Sequence, residues 1–122
     1  AVDRTGNICE FSSRGKEIAV AAPGAEITST WLDEGYATVS GTSMAAPFVS
    51  GVLALYVSEQ KKDGKKVGNS GAAKALAETC RDVGEAGRDA QYGWGLLDPH
   101  KMLAFDVRPA GVTIFIPGAK IL

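Results

Sequence analysis

Immediately after Gly41 the chain enters a run in which nearly every residue is apolar or small. Met44, Ala45, Ala46, Phe48, Val49, Val52, Leu53, Ala54, Leu55, Tyr56 and Val57 leave almost no polar face over residues 43–58. A helix with this pattern is apolar all round and belongs inside a larger body of protein. Pro47 does not forbid it, because the first turn of a helix has N–H groups without intrahelical acceptors. Small residues at Ala45, Ala46, Ser50, Gly51 and Ala54 allow other backbone to pack close. The run falls short of the roughly 20 apolar residues that span a bilayer, so its partner is expected to be protein.

The segments around this run read as short strands and helices. Residues 17–22 (Glu-Ile-Ala-Val-Ala-Ala) read as a buried strand stopped by Pro23 and Gly24, and residues 27–31 and 36–40 as two more, separated by the acidic turn Asp33-Glu34-Gly35. Ser70 is placed to cap a second helix that carries Ala72, Ala73, Leu76, Ala77 and Cys80 on one face and a Lys74–Glu78 pair on the other. Asp98-Pro99 reads as an N-cap with proline at the first helical position, opening a short helix through about Phe105. Residues 112–116 are a last candidate strand, ended by Pro117-Gly118. No linker or repeat divides the chain.

Composition narrows the function. With 122 residues, 45% of them hydrophobic and 22% charged, the chain suits one globular domain. A net charge of −1 provides no field for a nucleic-acid backbone or an acidic membrane surface. The one basic run, Lys61 to Lys66, reads as a solvated loop. Cys9 and Cys80 have no histidine at metal-ligand spacing, so no metal site is expected; they read as buried thiols or as one disulfide.

The segment with chemical content is Ser40-Gly41-Thr42-Ser43-Met44-Ala45-Ala46-Pro47, a strand end, a glycine and the start of the apolar helix. The leading N–H groups of a helix lack acceptors and carry the positive end of its dipole. A serine there can attack a carbonyl while its own N–H receives the oxygen that becomes negative. Gly41 is expected to permit a sharp turn and the close approach of a substrate. On the tripeptide alone, Thr42 or Ser43 serves equally as a helix cap.

The string Gly41-Thr42-Ser43-Met44-Ala45-Ala46-Pro47-Phe48-Val49-Ser50-Gly51 resembles the nucleophile signature of the subtilisin-like serine peptidases. Phe11-Ser12-Ser13-Arg14-Gly15, Val20-Ala21-Ala22-Pro23-Gly24 and Ile27-Thr28-Ser29-Thr30 resemble that family's stretch before the serine. Tyr92-Gly93-Trp94-Gly95-Leu96-Leu97-Asp98 resembles the glycine-rich run before its final helix. The resemblance implies an α/β fold, here the carboxy-terminal part of a doubly wound parallel sheet, with a buried helix starting at Ser43. Residues 1–106 would be that part of a catalytic domain, and 107–122 an extension.

By the same resemblance Ser43 is the nucleophile, Thr42 and Gly41 lie beside the oxyanion, and Met44 flanks the leaving group. Thr42 reads equally as a cap, and Met44 as core filler. Phe48 departs from the histidine common at that place, a change of packing rather than of chemistry. The family's aspartate, histidine and oxyanion asparagine all belong upstream. The chain's one histidine, His100, falls on the last short helix, and Asn7 and Asn69 read as turn residues. A serine hydroxyl without a base is a weak nucleophile, so the chain alone is expected to be inert. Its expected partners are a polypeptide substrate and either the missing amino-terminal half or a second copy. No cofactor is expected; calcium is common in the family, but no acidic cluster marks a site. The family also implies an extracellular setting. The rival reading is a non-catalytic binding or assembly module derived from such a peptidase.

Overall fold

A computed structural model describes residues 1–106; the extension at 107–122, with its candidate strand, lies outside the described residues. The elements are β1 (Ile27–Thr30), β2 (Tyr36–Val39), α1 (Thr42–Lys62), α2 (Asn69–Thr79) and α3 (Pro99–Ala104). The two strands form an antiparallel hairpin with Ile27 opposite Val39 and Thr30 opposite Tyr36. Residues 17–22 do not form the expected strand. They turn at Gly15–Glu17 and contribute only single bridges at Val20 and Ala21.

A doubly wound sheet is likewise not what the described residues display. Three extended pieces lie side by side instead. Val2 donates its N–H to Ala22 O at 3.0 Å and accepts from Gly24 N at 2.9 Å, while Ala21 N donates to Gly95 O at 3.0 Å and its carbonyl accepts from Leu97 N at 2.9 Å. Both contacts are parallel. Parallel ladders need longer neighbours on both sides to become strands, and each piece here supplies only a residue or two.

Helix α1 spans 21 residues and organises the packing. Ala45, Val52 and Tyr56 are buried and recur at the spacing of one helical stripe. Ala45 packs with Ala1, Cys9 and Ala22; Val52 and Tyr56 pack with Ala75 of α2 and Met102 of α3. The helix is therefore not buried all round within this chain. Phe48 and Leu55 are 42% and 58% exposed, and Ala46, Pro47, Ser50, Gly51, Ala54 and Ser58 are exposed as well. The described residues cover one face only, although the pattern of apolar residues is complete.

Helix α2 starts two residues earlier than its expected cap. Gly68 holds the N-cap position with no side-chain hydrogen bond, and Ser70 lies inside the first turn. Its buried residues are Ala75 and Thr79, not the stripe centred on Ala73, which is exposed. Thr79 Oγ1 donates to Ala75 O at 2.7 Å, which satisfies a hydroxyl that would otherwise be costly in the core. Lys74 and Glu78 pair at 3.7 Å as expected. In α3, Asp98 accepts from Lys101 N at 3.0 Å and Pro99 opens the first turn, again as expected. Both cysteines are free thiols.

The glycine-rich run crosses tightly between two other segments. Gly95 has φ 126, and a Cβ there would land on the Arg81 carbonyl. Gly95→Ala should therefore cost about 2–3 kcal/mol of stability by strain and overlap. Gly87→Ala, at a positive φ but with open space around it, should cost only about 1–2 kcal/mol. Denaturant titration of the protein carrying this segment checks the difference, and equal costs would contradict the crossing. Burial, followed by the nearby Asp98 carboxylate, pushes the Cys80 thiol up to about 11. Since only the thiolate alkylates, Cys80 should react with iodoacetamide slowly at pH 8 and accelerate towards pH 11, as followed by mass spectrometry.

Candidate active site

Ser43 occupies the second position of α1, after Gly41 at the N-cap and Thr42. The chain reaches it directly from β2, and Ser40 secures that approach by accepting a hydrogen bond from Glu26 N at 2.8 Å. Gly41 N donates to Gly24 O at 2.7 Å, which ties the helix start to the 1–24 segment. Gly24 permits this closeness: a Cβ on it would stand 2.8 Å from Gly41 O and 3.2 Å from Ala45 Cβ.

The helix start is uncapped by any side chain, and its first turn contains no acidic residue. The capping role open to Thr42 or Ser43 in the sequence is thus not taken up. Ser43 is exposed. Among the described residues neither its hydroxyl nor its N–H forms a hydrogen bond; the first bond of the turn is Met44 N to Gly41 O at 3.1 Å. The positive end of a long helix, a free amide and an accessible hydroxyl coincide at one residue. That arrangement can hold negative charge on an oxygen bonded to a carbon under attack.

Ser43 and Met44 line a cavity of about 390 Å³ between the hairpin and the first turns of α1. Thr42, which the sequence grouped with them, faces a different cavity of about 450 Å³, lined also by Ala1, Ala22, Ala45 and Val49. Gly41 is not needed for a sharp turn. Its φ of 163 and ψ of 162 are extended, and the nearest atom to an added Cβ is Met44 Sδ at 3.5 Å. What remains for this glycine is the slimness it offers to an approaching substrate.

The other polar candidates stay apart. His100 is exposed on α3, and its neighbour Met102 packs against Val52 and Tyr56, roughly 13–20 Å along α1 from Ser43 at 1.5 Å per residue. Asn7 is a turn residue, donating its side-chain amide to Thr5 Oγ1 at 2.7 Å and its N–H to Asp3 Oδ1 at 3.0 Å. Asn69 opens α2. Among the described residues no group of three or more His, Cys, Asp or Glu gathers to hold a metal ion, so they offer no donor set for calcium. Nothing in the sequence had marked Trp31, Val39 or Phe48 as lining a cavity with Ser43; the hairpin register and helix phase bring them there.

Comparison with known proteins agrees with this arrangement. A model of the subtilase family matches residues 1–95. The chain belongs to the subtilase family. This subtilase segment is 37% identical over 97 residues to the minor extracellular protease Epr of Bacillus subtilis (strain 168), covering 80% of this chain and 14% of that protein. It is 36% identical over 98 residues to subtilisin DY of Bacillus licheniformis, covering 80% of this chain and 33% of that protein. Among solved structures, a lanthipeptide protease aligns with a TM-score of 0.75 at 26% identity, over 83% of this chain and 38% of that one. The patellamide maturation protease PatA aligns with a TM-score of 0.74 at 29% identity, over 85% and 40%. The chain spans a third or less of these curated relatives' length and about two fifths of these solved neighbours.

Because Ser43 makes no hydrogen bond and Gly41 is extended with room for a Cβ, Ser43→Ala and Gly41→Ala should each change stability by less than about 0.5 kcal/mol. Thermal melting of the protein carrying each substitution checks this, and a large loss at either site would mean the helix start is a packing element.

Proposed function

We propose that this chain is the nucleophile-bearing, carboxy-terminal part of a serine endopeptidase. The single observation that carries the reading is Ser43 itself: exposed, unbonded, and placed at the amide-rich start of α1 in a subtilase segment. In the reaction, Ser43 Oγ adds to the carbonyl carbon of a peptide bond as a base removes its proton. The developing oxyanion rests on the Ser43 N–H. Collapse breaks the C–N bond, the amine leaves with a proton from the same base, and water then hydrolyses the acyl-serine ester.

The base, its orienting carboxylate and a second oxyanion donor come from outside these residues, in the amino-terminal half of the same domain. Met44 shares the cavity of Ser43 and stands nearest the reacting groups; Gly41 leaves room beside them. Thr42 opens to the other cavity, so its contribution is to the helix start. No cofactor enters the scheme. The extracellular setting of the relative Epr is carried over to this protein as part of the same proposal.

The exposed face of α1 supports the partner. Ala46, Ser50, Gly51, Ala54 and Ser58 form a stripe of small residues beside the Thr42 cavity, which is where a neighbouring layer of the same domain can approach closely. A non-catalytic module would have no need of an open, unbonded serine at this helix start, which favours the peptidase over the binding module.

Three outcomes test the reading. The 122-residue chain alone should hydrolyse peptide and ester substrates no faster than its Ser43→Ala variant. The complete protein should be labelled by a fluorophosphonate at Ser43, and Ser43→Ala should lower its turnover by about a million-fold, a magnitude known from subtilisin itself rather than derived from this chain. Labelling at another serine sinks the proposal. Gly51→Ala meets nothing within this chain but should destabilise the complete protein by about 1–3 kcal/mol if the amino-terminal half packs on that face; an unchanged melting temperature would place the partner elsewhere.

A further inference from the structure

The cavity that Ser43 opens into has walls of a consistent kind. Ile27 and Trp31 come from the hairpin's first strand and its end, Val39 from the second, and Met44, Pro47 and Phe48 from α1; no residue lining it is ionisable. Two of the large apolar side chains that this chain leaves exposed, Trp31 at 54% and Phe48 at 42%, lie on its walls. Its volume of about 390 Å³ suits a side chain with room for adjacent backbone.

The walls are held in place. The strands pair along their whole length, Thr28 and Thr38 join hydroxyls at 2.7 Å across them, and Trp31 N donates to Gly35 O at 2.8 Å at the foot of the turn. Asp33 and Glu34 both take positive φ, 55 and 56, the two-residue turn that matches strand twist and normally favours Asn-Gly. The chain keeps this hairpin geometry despite the strain of two residues with side chains there. A charged side chain entering the cavity would lose water and find no countercharge, whereas an apolar one would gain aromatic and aliphatic contact.

We propose that this cavity is the subsite for an uncharged, apolar side chain of the substrate polypeptide next to the scissile bond, with Trp31 and Phe48 setting the preference. The proposal rests on Ser43 being the nucleophile, since the cavity and the serine share one opening. It names the substrate class: polypeptides with a bulky apolar residue at one position flanking the cleaved bond. Phe48 is the more telling wall, because histidine, common at that place in relatives, would make it polar.

The test uses the complete protein and a peptide library varied at the two residues on each side of the cleaved bond, with kcat/KM read by mass spectrometry and active enzyme counted by fluorophosphonate labelling of Ser43. Leu, Met or Phe at one flanking position should be cleaved about tenfold or more faster than Asp or Lys. Trp31→Ala should lower kcat/KM for those apolar substrates roughly ten- to hundredfold, while substrates with Gly or Ala at that position, and labelling of Ser43, stay unchanged. Phe48→His should weaken the same preference at the same position only. Full labelling with an unaltered preference profile in both variants would overturn the subsite and leave the nucleophile standing. Loss of labelling and of thermal stability together in Trp31→Ala and Phe48→His would show that another part of the protein fills the cavity, which also overturns it. Absence of Ser43 labelling in the unaltered protein removes the nucleophile and the subsite together.

Discussion

The anchoring of α1 through a single buried stripe is the constraint on which the other features depend. Ala45 fixes the helix start against the 1–24 segment, and Val52 and Tyr56 fix its second half against α2 and α3. Because these contacts hold the helix from one side, its N-terminus is rigidly placed yet open. A helix end pays no penalty for unsatisfied amides when they face water or a ligand. The same geometry that leaves Ser43 unbonded therefore costs the fold little, and a hydroxyl and an amide are both available at one point.

The close crossings around this helix explain the glycines better than turn chemistry does. Gly24 lies against Gly41 O and Ala45, and Gly93 and Gly95 pass against the backbone of Ala19 and Arg81. Each brings two stretches of backbone within a distance that a side chain would prevent. Gly41, by contrast, needs no special conformation. Its place beside the serine is explained by what comes near it from outside the chain, not by the chain's own path.

The hairpin and the helix together make the cavity beside Ser43, and neither makes it alone. Trp31 follows β1, Phe48 lies on the second turn of α1, and only the short connection through Ser40 and Gly41 sets their relative direction. Thr42 and Ser43 are adjacent in sequence but open to different cavities, since neighbours on a helix are about 100° apart. One faces the side where the family's remaining layers belong; the other faces the hairpin.

The sequence by itself determined the local elements whose causes are local: the hairpin from its acidic turn, α3 from Asp98-Pro99, and α1 from its unbroken apolar run. It also singled out Ser43, because an eleven-residue signature carries its own identity. It misplaced the strand at 17–22 and the cap of α2, where pairing and packing with distant residues decide the outcome. Whether α1 is covered, which cavity each of Thr42 and Ser43 faces, and that Trp31 and Phe48 meet across one of them were decided by tertiary structure. An apolar pattern states that a surface must be covered; only the arrangement of neighbours determines which face is covered and which is left for a partner.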